Sequence, residues 1–149
     1  MKVIRFSNQV KIITMLFVIL TYVSCATISR SSQYAYTQTT SLKVDALAVM
    51  DLAKDDYSNH QQVILELQTN LQKIYEYEKN RPKNEISVKL WDKLLNPEGH
   101  LLVGFLIRWQ KEQKLNETFI TEEKKLVSDA FDVISGLEST KLKSKDVLE

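Results

Sequence analysis

Glycine occurs three times in 149 residues, proline twice and cysteine once. So few helix breakers argue against a loop-rich or all-β fold and for long helices. One cysteine excludes an internal disulfide. His60 and His100 are the only histidines, fall on different predicted elements, and sit in no zinc or di-iron spacing, so no metal site is expected. No glycine-rich phosphate loop and no Gly-x-Ser-x-Gly turn is present. Asp55/Asp56 and Glu122/Glu123 are adjacent pairs, which on a helix point about 100° apart and read as solvated charge. These absences describe a chain without catalytic chemistry or cofactor. The expectation is a protein that is not an enzyme.

Net charge is +1, but its distribution is uneven. Residues 1–24 hold Lys2, Arg5 and Lys11 and no acid; removing those three from the 20 basic residues leaves 17 against 19 acids, a net of −2. A near-neutral remainder has no clustered basic excess with which to seek nucleic acid. The one long apolar run, IITMLFVIL at 12–20, follows the basic start and precedes small residues. Basic, then apolar, then small is the order of a secretory signal peptide, here residues 1–24. The run is short of the roughly 20 residues a spanning helix needs, which leaves an uncleaved anchor as the lesser alternative.

Tyr22-Val23-Ser24-Cys25 resembles the lipobox of bacterial lipoproteins, with Tyr22 where that family usually has Leu. The resemblance covers the signal alone and implies an acyl chain on Cys25 after cleavage before it. With Ala26 rather than Asp next, it further implies the outer membrane, facing the periplasm. Several acyl chains would hold such a protein firmly, whereas one gives marginal binding. Ordinary signal cleavage after Ala26, framed by Ser24 and Ala26, is the competing reading. Beyond the signal, the chain has a general likeness to small uncharacterised helical lipoproteins.

Residues 26–39 (ATISRSSQYAYTQT) are polar and without helical periodicity, and read with Cys25 as a flexible tether. A helical domain is expected over 40–142, with a frayed tail at 143–149. From Thr40 to Lys79, Leu42, Ala46, Val49, Ala53 and Tyr57, then Ile64, Leu67, Leu71 and Ile74, keep one helical face. The middle is polar, and Ser58 with Gln61 could form a capping box; one long kinked helix and a pair of helices are both open, the single helix favoured because no Gly or Pro intervenes. Pro82 and Pro97 mark breaks before helices at about 84–95 and 98–114. The second of these contains the almost wholly apolar LLVGFLIRW (101–109), for which a strand is the alternative. A last helix is expected from Thr121 to about Lys141, with Leu126, Ala130, Val133/Ile134 and Leu137 inward. The fold read from these elements is all-α: a long N-terminal helix, or helix pair, packed against three shorter helices in an antiparallel bundle.

Gly104 lies inside the most apolar helix, where glycine costs about 1 kcal/mol relative to alanine and usually permits close approach of a neighbour. It is read either as tight internal packing, the favoured alternative, or as the floor of an apolar groove lined by Trp91, Phe105 and Trp109. The functional expectation is a binding or scaffolding module, membrane-tethered in the bacterial envelope and docked to another envelope protein. A lipid or small hydrophobic ligand held between helices is the alternative.

Overall fold

Ser32 opens the first helix: its hydroxyl accepts a hydrogen bond from the amide of Ala35 at 3.1 Å, and α1 runs Gln33–Asp51. The computed structural model describes Ser29 and residues 31–139. The signal peptide, Cys25 and the tail expected at 143–149 lie outside the described residues. The polar stretch expected to be tether up to residue 39 is helical from Gln33 onward, and this corrects the boundary. Ala35 and Thr39 are fully buried and carry the Leu42–Ala46–Val49 stripe backwards at the same spacing. Threonines disguised it. Thr40 Oγ1 donates to the carbonyls of Tyr36 and Thr37 at 3.0 and 2.9 Å, folding a polar group into the helix's own backbone. Ser32→Ala removes the cap and is expected to lower unfolding stability by about 1 kcal/mol in urea denaturation; an unchanged midpoint would mean the helix start is held by its packing alone.

Two helices, not one, occupy 33–79. After α1, 3-10 turns at Leu52–Lys54 and Tyr57–His60 flank an extended Asp55, and α2 runs Gln61–Lys79. No glycine or proline is needed for this reversal, because a distant loop supplies the missing partners. Leu115 N donates to Ala53 O at 2.8 Å, Tyr57 N to Gln113 O at 2.9 Å, and the Trp109 indole to Asp55 O at 2.9 Å. The capping box expected from Ser58 and Gln61 does not form, since α2 starts after His60 without a side-chain cap.

The remaining helices are α3, Glu85–Leu95; α4, Leu102–Glu112; and α5, Glu117–Glu138. The architecture is all-α, with no strand among the described residues; the 101–109 segment is helical. Asn116 starts α5, its side chain accepting from Phe119 N at 2.8 Å, one turn before the expected Thr121. The inward stripe of α5 is Ile120, Val127, Phe131, Ile134 and Glu138; of the expected stripe Ile134 is buried and Ala130 packs against the core, whereas Leu126 is 47% exposed and its place is taken by Val127.

Helix α1 packs against α2 and α5, and α3 closes the ring by packing on both of those, with α4 laid against α3 and the Tyr57–His60 turn. At one end Ser32 bonds both Tyr77 and Glu138; at the other Lys124 pairs with Asp51 at 2.5 Å. Helix α1 is therefore antiparallel to α2 and to α5. The core between them centres on Trp91, Trp109, Phe105, Phe131, Met50 and Ile64.

Candidate functional site

Of the four residues expected around an apolar groove, Trp91 and Trp109 take separate positions in the core, while Gly104 and Phe105 lie together beside the Gly99 turn. Trp91 and Trp109 are 0% exposed. Trp91 meets Phe131 edge-on at 6.0 Å; Trp109 meets Tyr57 edge-on at 5.3 Å and His60 at 5.7 Å, its indole donating to Asp55 O and Gln113 O. A Cβ on Gly104 would stand 1.8 Å from the Gly99 carbonyl oxygen. The neighbour admitted by Gly104 is thus the turn before its own helix. Phe105 stacks on Phe119 at 6.0 Å, and the Arg108 guanidinium lies 4.0 Å from the Phe119 centroid. Gly104 and Phe105 share a cavity of about 50 Å³ with Gly99, His100, Arg108, Phe119 and Glu123. Glu123 Oε2 is buried there without a protein hydrogen-bond partner, and desolvation raises its carboxyl above the usual range. That space suits one or two waters, not an acyl chain.

A cluster not foreseen from the sequence occupies the end of the bundle where α1 begins. Arg81 Nη1 donates to both carboxylate oxygens of Glu78 at 3.1 and 2.9 Å and to Glu138 Oε1 at 2.8 Å. Glu138 also accepts from Ser87 Oγ at 3.2 Å and from the Ser32 amide at 2.9 Å. Asn84 donates to the Glu78 carbonyl at 2.9 Å and to its carboxylate; at the start of α3 it holds α2 instead of capping its own helix. Glu78, Glu138, Asn84 and Ser87 are buried, so the two carboxylates that Arg81 bridges, from α2 and α5, are enclosed by hydrogen-bond donors from the start of α3 and the start of α1. Burial raises the Glu78 carboxyl above its usual range, the Asn84 bond opposes this, the Glu138 charge adds to it, and Arg81 pulls back. The signal was present: Glu78 follows Ile74, and Glu138 follows Ile134, by four residues on apolar stripes. A carboxylate on a core stripe requires a buried cation, and Arg81 is that cation. Enclosed and well bonded, the cluster fastens the fold and leaves little room for a substrate.

The outer surface between α1 and α2 holds a cleft of about 380 Å³. Its lining is Ala48, Val49, Leu52, Val63 and Leu67, with Asp45, Glu66 and Asn70 also on it. No cluster of three or more His, Cys, Asp or Glu suited to a metal occurs among the described residues, and none of their helices is long and apolar enough to cross a membrane. No protein family matches this chain, and no curated protein sequence or solved structure resembles it.

Proposed function

We propose that this chain is a non-catalytic binding module of a bacterial envelope, exported by residues 1–24 and anchored through a lipid on Cys25, with the α1–α2 cleft as its docking face. The observation that carries the docking half is the cleft, whose apolar lining lies beside the carboxylates of Asp45 and Glu66. That chemistry suits a helical segment of an envelope protein presenting apolar side chains flanked by Lys or Arg. The anchoring half rests on the position of the chain's only cysteine, at the point where the signal would be cut. With the bundle starting at Ser32, six residues (26–31) separate it from Cys25, and the seven steps reach at most about 25 Å. An anchored domain so tethered works at the membrane surface.

Cys25→Ser is expected to release the protein from the membrane fraction and to remove the acyl mass from the mature N-terminus. Unchanged fractionation and mass would sink the anchor. Ala48→Trp fills the cleft from an exposed position, and crosslinking in whole cells is expected to lose a partner band that the parent chain gives. A band of equal intensity would place docking elsewhere. A second reading, a small apolar ligand in the same cleft, is favoured by its volume, which lies in the range of ligand sites. Native mass spectrometry of the full chain separates the two, since a retained small mass lost in Ala48→Trp supports the ligand.

A further inference from the structure

The α1–α2 cleft carries acid without a counter-charge. Asp45 and Glu66 belong to its lining, both exposed, and neither has an ion-pair partner among the described residues. No lysine or arginine lines it; Lys73, further along α2, donates to Asn70 at 3.1 Å. Val49, Leu52, Val63 and Leu67 supply its apolar walls. Between the start of α1 and the cleft, Val44 stands 67% exposed. Lys43 is the one charged residue of 33–44, and Asp132 takes it at 2.6 Å.

Residues 140–149 (TKLKSKDVLE) follow α5. Lys141, Lys143 and Lys145 come before the first acid, Asp146, and Val147-Leu148 come after it. The register of α5 on α1 sets where this segment starts. Lys43 pairs with Asp132 at 2.6 Å and Asp51 with Lys124 at 2.5 Å, which puts Ser139 level with Tyr36. From Tyr36 to Asp45 is about 14 Å along the helix axis. With a helix width of about 10 Å to cross, the near edge of the cleft lies about 17 Å from Ser139 and Val49 about 22 Å. An extended chain covers about 20 Å by Lys145 and about 30 Å by Leu148. The lysines therefore come within reach of Asp45 and Glu66, and the apolar pair within reach of Val49 and Leu67. The segment before α1, residues 26–31, has one large apolar residue, Ile28, and no lysine.

We propose that residues 141–148 fold back across the start of α1 and occupy the α1–α2 cleft, with their lysines on Asp45 and Glu66 and with Val147 and Leu148 against Val49 and Leu67. Lysine stems lie along apolar surface while their ammonium groups reach a carboxylate, and the crossing covers Val44. An occupant joined to its site by a few residues is present at an effective concentration in the millimolar range, so a weak contact suffices to fill the cleft. The tail is then a built-in competitor of the docking partner, whose apolar and basic character it shares. The contact stands on the cleft and the register; the competition rests on the docking reading above.

Zero-length carbodiimide crosslinking of the full chain, with peptides of the monomer mapped by mass spectrometry, tests the contact. Lys143 or Lys145 is expected to join Asp45 or Glu66. The pair Lys124 and Asp51, 2.5 Å apart, is the internal standard for a folded bundle. The double variant Val147→Asp, Leu148→Asp should cut the tail links several-fold and leave the standard unchanged. The standard without tail links, tail links that go to Asp129 or Asp132 on α5 instead, or equal yield in the double variant each overturn the seat. The competition is read in whole cells, where the partner band should be several-fold stronger in the double variant than in the parent chain. A band lost in Ala48→Trp yet unchanged in the double variant keeps the docking and defeats the competition. Tail links that persist while Ala48→Trp leaves the band intact defeat the docking and support the seat.

Discussion

Arg81→Met is expected to lower the stability of the bundle by about 3–5 kcal/mol at neutral pH, the usual cost of removing one partner from a buried ion pair. Methionine keeps the apolar stem of the side chain and removes the guanidinium, so the loss comes mainly from the charge and its hydrogen bonds. Glu78 and Glu138 would then face each other from α2 and α5 with only Asn84, Ser87 and the Ser32 amide as donors. These are neutral hydrogen-bond donors and cannot balance two carboxylates. Urea denaturation checks the value, and a loss below about 1 kcal/mol would show that the carboxylates reach water after all. The triple replacement Arg81→Met, Glu78→Leu, Glu138→Leu should recover most of the deficit, because an apolar cluster of similar volume often matches a buried ionic one.

The same cluster sets a pH dependence whose sign can be worked out. The folded-state carboxyl of Glu78 titrates above its ordinary value of 4.5. The native state therefore holds that proton more tightly than the unfolded chain does. Where the native state binds more protons, stability falls as pH rises. The contribution of Glu78 is complete below the ordinary value and is lost as pH climbs through the raised one. Glu78→Gln deletes this segment of the curve, so parent and variant should diverge just above pH 4.5 and run parallel at higher pH. Parallel curves throughout would mean that Glu78 titrates normally. In Arg81→Met the deficit should shrink on acidification, as protonation relieves the unpaired carboxylates.

Much of this fold was legible from spacing alone. The breaks at Pro82 and Pro97 and the stripe from Ile64 to Ile74 follow from local rules that tertiary contacts reinforce. Three features were hidden because their causes are non-local or disguised. The reversal at Asp55 depends on an amide donor, a carbonyl acceptor and an indole contributed from 109–115, a distance no local window spans. The first turns of α1 hide their inward face among threonines: Thr39 is fully buried on the stripe, and the neighbouring Thr40 hydroxyl bonds carbonyls of the preceding turn. The Arg81 cluster is hidden because Glu78 and Glu138 stand at helix ends, where solvent is the usual partner of a carboxylate. Their register with Ile74 and Ile134 is the stronger signal. Of the expected groove, the sequence held the ingredients, but which face each aromatic occupies is fixed only by packing.

Gly104→Ala carries the other large expected effect, and it separates the two readings of that glycine. A glycine kept for an external helix would tolerate alanine in the isolated protein and gain about 1 kcal/mol of helix stability. A glycine kept for internal packing would not. At Gly104 the added methyl would stand 1.8 Å from a backbone oxygen, so the whole turn from Asn96 to Leu101 or the start of α4 must move. No flexible side chain is available to yield. The 1.8 Å approach to a backbone oxygen puts the cost of overpacking at the upper end of about 1–3 kcal/mol, so that after the propensity gain of about 1 kcal/mol a net loss of about 2 kcal/mol is expected. Gly99→Ala is the matched control: its methyl meets Asn96 at 3.2–3.3 Å, a contact that a few tenths of an ångström relieve, so a much smaller change is expected. Thermal and urea unfolding of the pair give the answer. If Gly104→Ala is as stable as the parent, the close approach is not what the position is for, and a partner on α4 becomes the better account. If it is destabilised while Gly99→Ala is not, the glycine serves the turn, and docking belongs on the α1–α2 face.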